Sequence, residues 1–420
     1  MKWPEVTLKQ ISSLGPQYGA NARAVPRADG TPRYVRITDI NNDGWLRCDE
    51  IVGADIVDYS PYVLEDGDIL FARSGNTVGK SFRYHKEFGE CIFAGYLIRF
   101  RPNRRIAHPD FIFYFTQSSQ YQRWIEAKKR VAGQPNVNGT EYASLSLPLP
   151  PLLEQRRIVE ILDQADALRK KRAEADTKAA RILPALFYKM FGDPAMNPKG
   201  WPVVRIRDLV TPIERRDPAG QPDNTFVYID IAGVDGQTGT IVETKELFGA
   251  EAPSRARQIV RVNDVIISTV RPYLRATALV PEHLDNQICS TGFCVLRARE
   301  GSGFGFLYAL SRLQWFTDRL NSRARGASYP AVTDADILGL PVPLPDSPKV
   351  HKAFDVQVLD VLAMQQRREH TAKTHQDLFT SLLHSAFTGD LTAKWRESHM
   401  KELLAEMEAQ AKLLDLKVEL

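Results

Sequence analysis

The stretch FARSGNTVGKSFRY, residues 71–84, contains Gly79-Lys80-Ser81, the closing residues of a loop that cradles nucleotide phosphates. Such a loop needs a leading glycine at position 74, so that backbone N–H groups wrap the phosphate oxygens. Ser74 stands there, and Gly75 comes one step late. The loop should also lead from a strand into a helix. Asp68-Ile-Leu-Phe71 reads as a strand, but SFRYHKEFGECIF (81–93) is aromatic and β-favouring, and no Walker-B-like apolar run ending in an acid follows. The residues therefore read as a glycine-rich loop in a β-rich domain.

Other constellations point to other chemistry. Pro222-Asp223 with Glu243-Thr244-Lys245, and Pro109-Asp110 with Glu126-Ala127-Lys128, fit a loose pattern for metal-dependent nucleases. Two such hits are chance expectations in a chain with 25% charged residues. No Asn/Asp-Pro-Pro-Tyr/Phe run is present for base amino-methylation, and GSGFGF (301–306) has no strand of any length before it. Cys48, Cys91, Cys289 and Cys294 lack metal-ligand spacing, so they are expected to be reduced thiols in a cytoplasmic protein. No metal or cofactor is expected in this chain.

The 420 residues allow two or three domains, and 43% hydrophobic content allows real cores. A net charge of +4 permits nucleic-acid binding without requiring it. No apolar targeting segment or membrane span is evident.

The chain is written twice. WPEVTLKQI at 3 returns as WPVVRIRDL at 201, YVRITDI at 34 as FVYIDI at 226, and EDGDILFARS at 65 as RVNDVIISTV at 261, which aligns Asp68 with Asp264. CIFAGYLIRF at 91 returns as CSTGFCVLRA at 289, GQPNVN at 133 as SYPAVT at 328, LSLPLPPL at 145 as LGLPVPLP at 338, and ALFYKMFGD at 185 as SLLHSAFTGD at 381. Order and offset are kept, so this is an internal duplication. The second copy of the glycine-rich loop, STVRPYLRA, has no Gly-Lys-Ser, which argues against a shared nucleotide grip.

Each copy opens with a mixed α/β region carrying a helix, PDFIFYFTQSSQYQRWIEAKKR or FGFLYALSRLQWFTDRLNSRAR. Both helices end in cations, Lys128, Lys129 and Arg130 in one and Arg319, Arg323 and Arg325 in the other. These suit either the helix dipole or a phosphate-facing surface. A long helix follows each region, from about Leu152 to Phe191 and from about Pro348 to Phe387, with apolar positions at helical spacing. The pair is expected to pack as a coiled-coil-like spacer, with Pro184 kinking or breaking the first helix. The closing stretch from Trp395 is helical, with Met400, Leu403, Met407, Ala411, Leu414 and Val418 on one face, either docked on its own chain or free for a partner helix.

This organisation resembles the specificity subunit of type I restriction–modification systems. The resemblance is carried by LPLPPLLEQRRIVEILDQADALRKKR (147–172), LFYKMFGDP (186–194), LLHSAFTGDLTAKWRE (382–397) and the WPEVTLKQI and WPVVRIRDL openings, over about residues 1–397. It implies two mixed α/β target-recognition domains (1–150 and 194–346), two antiparallel spacer helices (151–193 and 347–392) and a C-terminal helical tail (393–420). It further implies that each recognition domain reads one half of a split double-stranded DNA target. Two methyltransferase subunits would dock on the helices and restriction subunits would join them. S-adenosylmethionine, ATP and Mg belong to those partners, and this chain carries no chemistry. Within that frame, candidate base readers are Arg73, Asn76, Gln134 and Asn136 in the first domain, and Arg271, Tyr273, Arg275 and Tyr329 in the second. Candidate phosphate contacts are Lys80, Lys128, Lys129, Arg130, Arg323 and Arg325. The competing readings are a coiled-coil scaffold without DNA specificity and a DNA-modifying enzyme in its own right.

Overall fold

The computed structural model describes residues 3–41, 43–47, 50–129, 135–345 and 347–415. They form two compact units, Met1–Lys170 with Lys373–Leu420 (unit 1) and Lys171–Ala372 (unit 2). Among the described residues the helices are α1 (Pro109–Phe115), α2 (Ser119–Lys129), α3 (Gly139–Ala143), α4 (Leu152–Ala179), α5 (Ile182–Phe191) and α6 (Phe304–Ser311). They continue with α7 (Gln314–Asn321), α8 (Asp334–Leu338), α9 (Pro348–Thr388), α10 (Ala393–Ser398) and α11 (Met400–Leu414).

The duplication seen in the sequence is a duplication of sheet topology. Unit 1 holds a four-stranded antiparallel sheet in the order Ser12–Tyr18, Leu97–Pro102, Ile69–Ala72, Ser81–Arg83. Unit 2 repeats it as Val210–Thr211, Phe293–Ala298, Val265–Ser268, Thr277–Leu279. Each unit adds a parallel strand pair, Arg33–Val35 with Cys91–Phe93 or Thr225–Ile229 with Ile288–Ser290. In each, the opening strand pairs with the last: Glu5–Thr7 with Ser146–Pro148, and Val203–Arg205 with Pro341–Pro343.

The strand Ile69–Ala72 is apolar along its whole length, and Val265–Ser268 as far as Ile267, because each has a core on both faces. Alternate residues of a strand point to opposite sides. Ile69 and Phe71 join the core formed with α1, α2 and the long helices, while Leu70 and Ala72 join a second core with Val35, Phe82 and Phe93. In unit 2, Val265 and Ile267 face the helix-side core and Ile266 faces the other.

Three expectations about helices are corrected. The helix expected over 109–130 is two, because Thr116 Oγ1 donates to Phe113 O at 2.6 Å and Ser118 Oγ accepts from the Tyr121 N–H at 3.3 Å. Such local side-chain bonds compete with helix continuation. The helix expected over 304–325 divides in the same way, at extended Leu313. The tail expected as one helix is α10 and α11. Pro184 acts as its chemistry dictates: it has no N–H for the Ala180 carbonyl, and the first long helix breaks between Ala179 and Ile182.

The long helices run antiparallel within each unit. In unit 1, Arg169 of α4 meets Gln376 (3.1 Å) and the Phe379 ring (4.2 Å) of α9, while Glu154 near the start of α4 meets Thr392 just beyond the end of α9. In unit 2, Asp176 pairs with Arg368, and the Phe191 ring of α5 lies 4.9 Å from that of Phe354.

The tail docks on its own chain, within unit 1. Glu154 is fully buried and accepts from Trp3 Nε1 (3.1 Å), Thr392 Oγ1 (2.6 Å) and Arg396 Nε (2.7 Å). Leu403 and Ala411 are buried, Leu414 packs against the core, and Gln410 Nε2 donates to Ile106 O at 2.9 Å. Val418 lies outside the described residues.

Candidate nucleic-acid interface

The loop after Ile69–Ala72 and the loop after Val265–Ser268 share one backbone shape. Gly75 (φ 67°) and Gly79 (φ 92°) in unit 1 match Arg271 (φ 50°) and Arg275 (φ 55°) in unit 2. A short 3-10 turn lies between them, Gly75–Thr77 or Pro272–Leu274. The same backbone bonds hold both loops: the Gly75 N–H donates to Pro135 O at 3.0 Å and the Arg271 N–H to Pro330 O at 2.7 Å. Likewise the Val137 N–H donates to Arg73 O and the Val332 N–H to Thr269 O, both at 2.8 Å.

Gly79-Lys80-Ser81 is thereby explained without a nucleotide. Gly79 occupies the left-handed region, and a Cβ there would lie 2.8 Å from Ile125 Cγ2. Ser81 opens a strand, not a helix, and its hydroxyl is 2.6 Å from Thr116 Oγ1. Lys80 Nζ donates to Ile40 O at 3.3 Å, and burial, with the nearby Arg47 charge, holds its pKa below the ordinary lysine value.

In unit 2 arginines occupy both left-handed positions, at a cost of about 1–3 kcal/mol each relative to glycine. The two side chains differ in use. Arg275 is tied inward, Nε donating to Thr317 Oγ1 at 3.1 Å and Nη2 to Gln314 Oε1 at 2.5 Å. The Arg271 guanidinium lies 4.5 Å from the ring centroid of Tyr329, which is 67% exposed, and its Nε is buried without a partner. Arg73 in unit 1 has the same setting: its guanidinium is 5.0 Å from the Tyr18 ring and its Nε is buried without a partner. Asn76 and Asn136 are exposed, Asn136 bridging Ser74, and Tyr273 is exposed on the turn beside Arg271. Gln134 and Arg130 lie outside the described residues.

The candidate phosphate contacts are partly engaged by acids or carbonyls. Lys128 Nζ is 3.5 Å from Glu141 and 5.7 Å from the Trp124 ring, and Lys129 Nζ is 2.8 Å from Glu126. Arg325 is 3.6 Å from Asp336, and Arg323 Nη1 donates to Arg319 O at 2.8 Å. Asp110, part of a nuclease-like pattern, is committed to Arg83 at 2.9 Å.

Two features were beyond the sequence reading. Tyr18 comes from a strand of small and polar residues, with nothing in the sequence to mark it as the partner of Arg73. The alignment of Asp68 with Asp264 hides a shared device: each carboxylate is buried and pins the turn that leads into Ile69–Ala72 or Val265–Ser268. Asp68 accepts from Arg101 Nε (2.7 Å) and the Glu65 N–H (2.9 Å), Asp264 from Arg297 Nε (3.1 Å) and the Arg261 N–H (2.8 Å). Burial pushes the Asp264 carboxyl above its ordinary pKa, against the pull of Arg297.

Residues 1–176 match the family described as the type I restriction modification DNA specificity domain. The StySPI type I restriction enzyme specificity subunit of Salmonella potsdam is 23% identical over 428 aligned residues, covering 92% of this chain and 88% of that one. The EcoKI specificity subunit of Escherichia coli K12 is 31% identical over 132 residues, covering 31% of this chain and 28% of its own. The S subunit of a type I restriction–modification system from M. genitalium shares the fold, with a TM-score of 0.56 at 13% identity, covering 92% of this chain and 96% of that one. With the specificity domain over residues 1–176 and a specificity subunit aligned along nearly its whole length, the chain is a DNA sequence-recognition subunit, not a catalytic one, similar to the specificity subunits of type I restriction–modification systems.

Proposed function

We propose that this DNA-recognition subunit reads a bipartite target, with the mixed α/β regions 1–150 and 194–346 as two recognition domains, each taking one half-site. The observation that carries the reading is the repeated sheet topology with one shared loop shape and different residues on it. A fused, diverged pair suits a non-palindromic duplex, as identical halves suit a palindromic one. Arg73, Asn76, Gln134 and Asn136, then Arg271, Tyr273 and Tyr329, read base edges, with Arg275 bracing its loop against α7. Lys80, Lys128, Lys129, Arg130, Arg323 and Arg325 position the backbone.

The spacer helices, within 151–193 and 347–392, set the gap between half-sites and dock two methyltransferase subunits, with restriction subunits joining the complex. Val356 and Leu359, 55% and 44% exposed on α9, support such docking. The test is to lengthen the ruler. Four residues inserted beside Ala175 add about 6 Å of helix. Because Asp176 pairs with Arg368, four more go into α9 beside Glu369 to keep the register. Mapping methylated sites genome-wide should show the same half-sites with a spacer longer by about one to two base pairs, at about 3.4 Å each. An active variant keeping the original spacer would show that the helices do not measure the gap.

A further inference from the structure

Arginines in this protein mostly spend their donors on the protein. Arg99 and Arg101 bind Asp68, Arg297 binds Asp264, Arg312 donates to the Gly236 and Gln237 carbonyls, and Arg396 binds Glu154. Arg73 and Arg271 are different. Among the described residues neither guanidinium makes a hydrogen bond or an ion pair, and each is held over a tyrosine ring with its Nε out of reach of solvent. A stacked guanidinium with one edge covered presents its remaining N–H groups in a restricted direction, with little side-chain freedom left to lose on binding.

The two arginines occupy different steps of the same loop. Arg73 precedes Gly75 by two residues, and Thr269 stands at its place in unit 2. Arg271 stands at the place of Gly75 and holds the left-handed conformation natural to glycine. A tyrosine-stacked guanidinium thus recurs in both halves without being inherited at one position, so its presence is not a by-product of the duplication. The backbone contacts proposed above include lysines, so a stacked guanidinium of fixed direction is not needed for phosphate. A planar fork with fixed direction matches the O6 and N7 acceptors of guanine in the major groove.

We propose that each half of the target contains a guanine read by a tyrosine-stacked arginine: Arg73 on Tyr18 for the half-site of unit 1, and Arg271 on Tyr329 for that of unit 2. This rests on the bipartite reading above and adds to it the class of base and the residue that selects it. The half-sites then differ in where that guanine falls, because the two arginines leave the loop at different steps.

The test uses the full chain expressed with its methyltransferase partners, with methylated sequences mapped genome-wide. The wild-type motif should carry a G·C pair in each half, and a half built of A·T pairs alone would overturn the proposal. R271G restores the residue type of the sister loop at a backbone position suited to glycine. It should make one G·C position degenerate in one half only, with discrimination there falling about 5- to 150-fold. Arg271→Lys should lose the same position, since an ammonium has no fork. Tyr329→Ala should blur it, while Tyr329→Phe keeps it because the stack survives. If R271G and Tyr329→Ala both keep the full motif, or weaken all sequences alike, Arg271 is a backbone contact and the proposal is wrong. Failure of the bipartite reading looks different: the wild-type complex would then yield no two-part motif.

Discussion

Unit 1 and unit 2 fold the same loop with opposite residue types. Where unit 1 places Gly75 and Gly79, unit 2 places Arg271 and Arg275 at closely similar backbone angles. The scaffold conserved between them is therefore conformational: a left-handed residue, a 3-10 turn, a second left-handed residue, all held by backbone bonds to a proline-containing segment, Pro135–Val137 or Pro330–Val332. Side chains on such a frame change without changing its path. That separation of path from chemistry is what a recognition module needs if its target is to diverge.

The comparison is broken most forcefully at the carboxylate beneath each loop. Asp68 has no exposed surface and serves Arg101, whose side chain keeps 24% exposure, and Arg99, which keeps 4%, whereas Asp264 serves Arg297, which keeps 19%. Asp68→Ala should cost about 3–5 kcal/mol, the cost of stranding buried charge. Asp264→Ala should cost less, because it leaves behind no arginine as buried as Arg99. Urea denaturation of the two variants reads the difference, and equal losses would mean that the two devices are energetically the same.

A second asymmetry lies at Glu154. Val350 is its counterpart: His351, like Gln155, is the next residue and donates to a proline carbonyl. Only unit 1 therefore has a buried carboxylate gathering Trp3, Thr392 and Arg396 at this point. Glu154→Ala should cost about 2–3 kcal/mol through the donors left unpaired. The loss should appear as early proteolytic release of α10 and α11. A Val350→Ala control, a cavity without stranded polar groups, should leave the tail protected.

Much of this was legible in the sequence because duplication prints itself as aligned motifs. The two halves, the strand before each loop, the long helices, the breaking action of Pro184 and the family resemblance all follow from residues that recur or from local chemistry. What escaped was local in some cases and non-local in others. The split at Thr116–Ser118 depends on hydroxyls that serve equally well inside a helix until their own bonds form. Tyr18 meets Arg73, and Arg275 turns inward to Gln314, through tertiary placement that no spacing encodes. The left-handed state of Arg271 was invisible because arginine carries no signature of it. Gly75, aligned with it, was the available clue.

The glycines sharpen the loop comparison. A Cβ on Gly75 meets nothing within 4 Å, but one on Gly79 would strike Ile125. Gly75→Ala should therefore cost about 1 kcal/mol, the left-handed penalty alone. Gly79→Ala should cost about 2–3 kcal/mol by adding overpacking. Thermal melts of both variants test this, and a larger loss at Gly75 would show that the contact with Ile125 does not constrain the loop at Gly79.

The smallest effect concerns the basic end of α2. Lys128 stands 3.5 Å from Glu141, whose other oxygen accepts from the Asn138 N–H at 2.9 Å and so stays in place when Lys128 is removed. Lys128→Ala thus deletes a proposed phosphate partner and unmasks a fixed carboxylate beside it. Affinity should fall for cognate and unrelated duplexes alike, and the slope of log K against log salt should shrink by about 0.9 for the single lost contact. Glu141→Gln should act in the opposite sense, raising affinity for both duplexes by removing the competitor while the N-terminal turn of α3 keeps its amide cap. Titrations of the complex over a range of salt concentrations separate the two. The ratio of cognate to unrelated affinity should stay constant in both variants. A change in that ratio for Lys128→Ala would move Lys128 from the residues that position the duplex to those that read it, and would place a base reader of unit 1 on a helix end rather than on the loop that unit 2 shares.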